Sequence, residues 1–169
     1  MLNQKRNIRT ALGVGVALLI GNACSSDSAG PEADIVGGWT RSSISTTSAS
    51  GGSNGIYTHT YRFNNSHQYT YTIEFQSTTG SVPNTPPLPV SQIAGTYSLG
   101  TETLASDGSS ARELDLLPND NALPGLYFIY QIDSGSSLFL SDPSLSSGSA
   151  GSAPDNRAYT LGHTPYLKL

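Results

Sequence analysis

Cysteine occurs once in these 169 residues, at position 24, so no disulfide can form within the chain. Charge is equally scarce. Only 12% of the residues are charged, and eight Lys and Arg stand against twelve Asp and Glu for a net charge of −4. The few cations are scattered, and without a basic patch the chain lacks what nucleic-acid binding requires. Ala, Glu, Lys and Leu at helical spacing are also missing after Cys24, which excludes a helical bundle or coiled coil. What the chain does hold is 26 Ser, 16 Thr, 18 Gly and nine Tyr. That composition points to a single small all-β domain, in which hydroxyl and aromatic residues share the strands and Gly and Ser fill the turns.

The first residues read as a targeting segment and are set aside from the fold. Lys5, Arg6 and Arg9 form a positive head, and the apolar run at 11–20 (ALGVGVALLI) is too short to cross a bilayer as a helix. Gly21, Asn22, Ala23 and Cys24 follow. A small residue directly before a cysteine at the end of an apolar run resembles the lipobox of bacterial lipoproteins, although Gly21 stands where that family prefers Leu. The resemblance implies cleavage after residue 23 and acylation of Cys24, and hence membrane attachment through fatty acyl chains. Ser25 behind the cysteine resembles the sorting signal for the outer membrane. Without residues 1–23 the chain carries five cations and twelve acids, a net charge of −7. Such a chain gains nothing from anionic lipid, so the anchor would rest on the acyl chains alone. Residues 24–34 are polar with Gly and Pro and read as a short flexible tether.

The folded domain is expected over 35–169. Tyr57, His59, Tyr61 and Phe63 alternate with Thr58, Thr60 and Arg62, and after Asn64, Asn65 and Ser66 the pattern resumes with Tyr69, Tyr71, Ile73 and Phe75. Two alternating runs about an Asn-rich turn predict an antiparallel hairpin. Further strands are predicted at 39–44, 93–99, 112–117, 126–133, 137–141 and 159–161, the last extending toward 169. Turn-rich stretches separate them at 46–55, 80–89, 118–125 and 142–155. Eight antiparallel strands in so short a chain must close into a barrel or stack as two sheets to bury an apolar face and protect their edges.

Gly37, Gly38 and Trp39, opening the first strand, resemble the G-x-W signature of lipocalins, in which the Trp closes the bottom of a small barrel. The hairpin YRFNNSHQYTYTIEF, the segment IAGTYSLGTETL, the late SLFLSDP and the closing YLKL are similar to bacterial lipocalin-like domains. This resemblance implies an up-and-down barrel with Gly37 and Trp39 as its closing residues. Two features of the family are absent. There is no T-D-Y motif, and no Arg lies on the last strand to stack over Trp39, since Arg157 precedes that strand and Lys168 follows it.

An eight-stranded barrel is filled by side chains or holds one small ligand. Tyr57, Tyr61, Tyr69 and Tyr71 are the candidate ligand-binding residues, offering aromatic faces with hydroxyls to a small apolar or amphipathic molecule. The competing expectation is that most of these rings are simply core. No catalytic constellation is found. Ile35 to Gly38 match the activated N-terminus of trypsin-like proteases, but the chain is too short for their two barrels. His59, His67 and His163 lack metal-ligand spacing, and no cofactor is implied. Glu113 and Asp115 share a strand face and read as solvated. Asn119, Asp120 and Asn121 read as a turn rather than a calcium loop. The expectation is thus a non-catalytic, lipid-anchored envelope protein that binds a small molecule. The alternative is a packed barrel whose long loops bind protein partners.

Overall fold

The computed structural model describes residues 34–45, 54–78, 87–145 and 151–169. The signal segment, Cys24 and nearly all of the tether lie outside these residues. Eight strands run in order: β1 (Gly37–Ser45), β2 (Gly55–Phe63), β3 (Gln68–Ser77), β4 (Leu88–Leu104), β5 (Ser110–Pro118), β6 (Leu126–Asp133), β7 (Ser137–Leu140) and β8 (Tyr166–Lys168). Each is antiparallel to the next, and β8 pairs back with β1, closing an up-and-down barrel.

Alternation sets which face turns inward. The register aligns Trp39 with Tyr61, Tyr61 with Tyr71, and Tyr71 with Ile93. Farther round, Leu114 aligns with Phe128, Tyr130 with Leu140, and Leu138 with Tyr166. These inward residues form one core around Ile35 and Trp39, both fully buried. β4 reaches both halves of the barrel because it is 17 residues long and irregular at two places. Its pairing shifts opposite Ile73 and Glu74, and again between Leu99 and Glu102. Such bulges bend a strand and let its two halves serve different neighbours. Gly95 lies at the crossing, where a Cβ would run into the Leu117 carbonyl and the Tyr69 ring.

Short and long connections segregate to opposite ends. Residues 64–67, 105–109 and 134–136 join strands at one end, called here the turn end. In the first turn the Asn64 side-chain oxygen accepts from the Ser66 and Gln68 amides, both at 3.0 Å, and His67 takes the left-handed conformation with φ 56°. Ser134 and Gly135 both have positive φ, as the tight turn of a two-stranded ribbon requires. The longer connections, from β1 to β2, β3 to β4, β5 to β6 and β7 to β8, join strand ends at the other end, the mouth.

Three details depart from the sequence reading. The stretch 159–161 is not a strand: its one ladder contact is an isolated bridge between Ser141 and Leu161, and the closing strand is Tyr166–Lys168. A Gly at 162 and a Pro at 165 cut the alternation short. Residues 151–162 instead strap across the outside of β5 and β6, burying the outward-facing Ile129 beside Ala105, Ala111 and Leu161. Glu113 and Asp115 do share the outer face of β5, but they are not simply solvated. Arg157 in the strap, 8% exposed, lies 2.5 Å from Asp115 and 3.4 Å from Glu113, and its guanidinium also donates to the Phe128 carbonyl. Finally, Lys168 belongs to the last strand rather than following it, and pairs directly with Trp39.

Candidate functional site

The turn end is sealed. The Trp39 indole N–H donates to the Ile35 carbonyl at 2.7 Å, and Lys168 Nζ sits 5.1 Å from the centre of the Trp39 ring. A lysine therefore stands over the tryptophan where the lipocalin pattern has an arginine. Gly37, the first residue of β1, has φ 133°, a backbone conformation open to glycine but rarely to other residues. The Tyr97 hydroxyl donates to the Asn64 carbonyl at 2.9 Å, tying the first hairpin turn to β4.

The mouth is more polar. Inward positions of β8, β1, β2 and β3 place Tyr166, Arg41, His59, Tyr61 and Tyr71 side by side on one wall. Their rings form a continuous series. Tyr61 stacks on Tyr71 at 4.5 Å and meets Tyr166 edge-on at 5.3 Å. The Arg41 guanidinium lies 4.5 Å over the Tyr166 ring, a favourable cation–π placement. His59 Nδ1 and the Tyr71 hydroxyl are 2.8 Å apart. Tyr57 continues the wall outward, with its ring 4.9 Å from that of Phe75.

Burial and Arg41 set the protonation states of this wall. Burial, with Arg41 adding to it, holds the His59 pKa below its usual value, so the ring is neutral at pH 7. Burial pushes the Tyr61 phenol well above its ordinary value and Tyr166 up to about 12, with Arg41 opposing both shifts. Tyr71 is raised for the same reason. All of these tyrosines are hydrogen-bond donors at neutral pH.

Across the interior from this wall lie Phe128 of β6 and Leu140 of β7. Between them is a cavity of about 140 Å³, lined by Arg41, Tyr61, Phe128, Leu140, Asp142 and Tyr166 among others. A larger hollow of about 470 Å³ lies outside the barrel, between the strap and the outward residues Gln131 and Phe139. The smaller, half-open pocket at the mouth is the stronger candidate despite its size, because the buried side chains of Tyr61, Tyr166 and Ser141 converge on it. Among the described residues no group of His, Cys, Asp and Glu is arranged to hold a metal ion.

The four tyrosines singled out from sequence share one inward face but divide by depth. Tyr61 and Tyr69 are buried, 6% and 2% exposed, whereas Tyr57 and Tyr71 are half-buried at the mouth. Tyr61 and Tyr71 join the cluster, Tyr69 packs over Gly95 toward the turn end, and Tyr57 stands at the rim. Sequence reasoning missed Arg41 and Tyr166. Arg41 was within reach, being two residues beyond Trp39 and so on the same face of β1. Tyr166 was hidden by the misassigned last strand. Cys24 lies outside the described residues.

Fold and site together define a closed eight-stranded antiparallel barrel, sealed at one end and lined with polar aromatics at the other, a form compatible with either a ligand-binding or a structural module. Compared with known proteins, the chain matches no family model, no curated protein and no solved structure. Its likeness to lipocalins rests on barrel topology and on the residues named above.

Proposed function

We propose that this chain is a non-catalytic, lipid-anchored protein of a bacterial cell envelope, tethered to the outer membrane through acylated Cys24, whose barrel binds a small hydrophobic or amphipathic molecule at its mouth. The observation that carries the binding part is the asymmetry of the inward face. Trp39 and Lys168 seal one end, while Tyr57, His59 and Tyr71 stay half-buried at the other, beside a half-open pocket. Aromatic walls with a few convergent polar groups suit small-molecule recognition. Native mass spectrometry of the gently purified protein tests it. A discrete added mass that vanishes on denaturation is expected; a bare mass with no uptake of a lipophilic probe would refute it. The anchor is tested separately by labelling cells with a palmitate analogue, where label is expected on the native chain and none on Cys24→Ala.

A second reading, a packed barrel acting through its long connections, is favoured by the burial of Tyr61, Phe63 and Tyr69 and by the small volume of the cavity. It takes over if the mass is bare and the chain instead retains a protein partner from envelope extracts.

A further inference from the structure

Tyr61 and Tyr166 are 6% and 5% exposed, and both line the half-open pocket at the mouth. Among the described residues neither hydroxyl has a hydrogen-bond partner within 3.5 Å. That is unusual for buried phenols, because a hydroxyl taken out of water without a partner is destabilising. Arg41 shares the cavity, half-buried, with its guanidinium over the Tyr166 ring. A guanidinium has several donors to satisfy, and among the described residues Arg41 makes one long hydrogen bond, to the Thr164 carbonyl at 3.4 Å. No carboxylate among the described residues lies within 4.0 Å of it. Asp142 is the acid among the described lining residues. Its Oδ1 already accepts from the Ser144 amide at 2.9 Å and the Ser144 hydroxyl at 2.6 Å.

We propose that this cavity is a carboxylate site, in which the guanidinium of Arg41 and the hydroxyls of Tyr61 and Tyr166 together hold the anionic group of a small monocarboxylic acid. The assignment rests on the small-molecule reading above and names its ligand class. All three groups are donors, so what completes them is an acceptor. Among the described residues the lining holds one cation, Arg41, and one anion, Asp142, whose carboxylate its Ser144 hydrogen bonds and Arg41 keep ionised, so the site tolerates a single further negative charge at most, and a dianion beside Phe128 and Leu140 is excluded. Burial holds the phenols protonated well above neutral pH, so their protons stay available for donation. The cavity, at about 140 Å³, admits a compact acid whole or the head of a longer one. In the second case the tail would leave along Tyr57, Ile73 and Phe75, which continue the inward face toward the mouth.

The test titrates the full chain in lipid nanodiscs with benzoate and octanoate, and with their neutral amides, by ligand-observed NMR. Both acids should bind, with benzoate ahead for a compact ligand and octanoate ahead for a tailed one, and either amide should bind at least about tenfold more weakly. Arg41→Gln should weaken acid binding on the order of tenfold or more and leave the amides unchanged. Tyr166→Phe and Tyr61→Phe, which remove only a hydroxyl, should each cost a few-fold. Trp39 fluorescence checks that each variant remains folded, and the two Phe variants keep the test alive if Arg41→Gln does not fold. Amides that bind as well as acids, with Arg41→Gln indifferent to both, would overturn the carboxylate assignment and leave small-molecule binding standing. No binding of any of the four compounds would overturn the assignment; the native-mass experiment then decides separately whether small-molecule binding falls with it.

Discussion

At the turn end of the barrel the Trp39 indole and the Tyr97 hydroxyl each donate to a backbone carbonyl. At the mouth the same residue types line the same strands, yet the hydroxyls of Tyr61 and Tyr166 lack partners among the described residues. β2 shows the change within one strand. Tyr61 and Phe63 are buried, while Tyr57 and His59, on the same face, are not. The cause is the stagger of the barrel. β8 pairs only with Trp39 and Thr40 of β1, and β5 meets β4 only from Gly95 onward. Among the described residues, the mouth-side halves of β1 and β4 have no ladder partner on their outer edges, so the sheet they bound is half covered. Alternation decides which way a side chain points; stagger decides how deeply it is buried.

The largest effect should come from the sealed end. Trp39→Ala removes a fully buried indole and strands the Ile35 carbonyl, and should cost about 3–5 kcal/mol in urea unfolding. A cost no greater than that of a mouth substitution would erase the distinction between the two ends. Next comes alkaline unfolding, which engages buried phenols at both ends. Tyr130 and Tyr166 both have pKa values pushed up to about 12, mainly by burial. The unfolded chain gives up these protons near pH 10, whereas the folded chain keeps them until about 12. Across that window the unfolded state binds fewer protons, so stability present below pH 10 falls as pH rises, by at most about 2 kcal/mol for each phenol once solvent screening is allowed for. Absorbance at 295 nm should show these tyrosines ionising together with unfolding. Ionisation at the ordinary value without unfolding would mean that the interior is wetter than its geometry implies.

The strap gives a smaller effect. Arg157→Ala leaves Glu113 and Asp115 without their cation, but both carboxylates are about a quarter exposed and solvent screens them. About 1–2 kcal/mol is expected, along with faster amide exchange at Ser106 and Tyr127, whose amides donate to carbonyls of the strap. Unchanged exchange at those amides would show that the strap is held by Ile129 and Leu161 rather than by Arg157.

Much of the turn end was legible in the sequence because short-range signals determine it. The Asn-rich turn, the alternating aromatics on either side and the Gly-Gly-Trp opening each specify local geometry, and all eight strands follow from such signals except the last. The strap was not legible. Ile129 sits outward in its strand and is buried only because a segment some 30 residues later crosses over it. The partnership of Arg157 with Glu113 and Asp115 depends on the same crossing. The mouth was legible in part. Alternation places Tyr57, Tyr61, Tyr71 and Arg41 on one face, but that Tyr166 completes the cluster depends on how the barrel closes.

The smallest prediction lies at the mouth. His59 is half-buried, and its pKa is lowered first by that burial and then by the Arg41 guanidinium. In the unfolded chain the ring takes up a proton near its ordinary value of about 6.5, whereas the folded chain resists. The unfolded state then binds more protons, so stability falls as pH drops below that value. Because His59 keeps partial contact with solvent, the slope should be shallow and flatter still in His59→Gln, which cannot titrate but can still hydrogen-bond Tyr71. If the site takes a carboxylate, bound benzoate should counter Arg41 and raise the His59 pKa, visible as a shift in the imidazole NMR titration. A titration unmoved by benzoate would place any bound acid away from Arg41, and the mouth would then differ from the turn end in exposure alone.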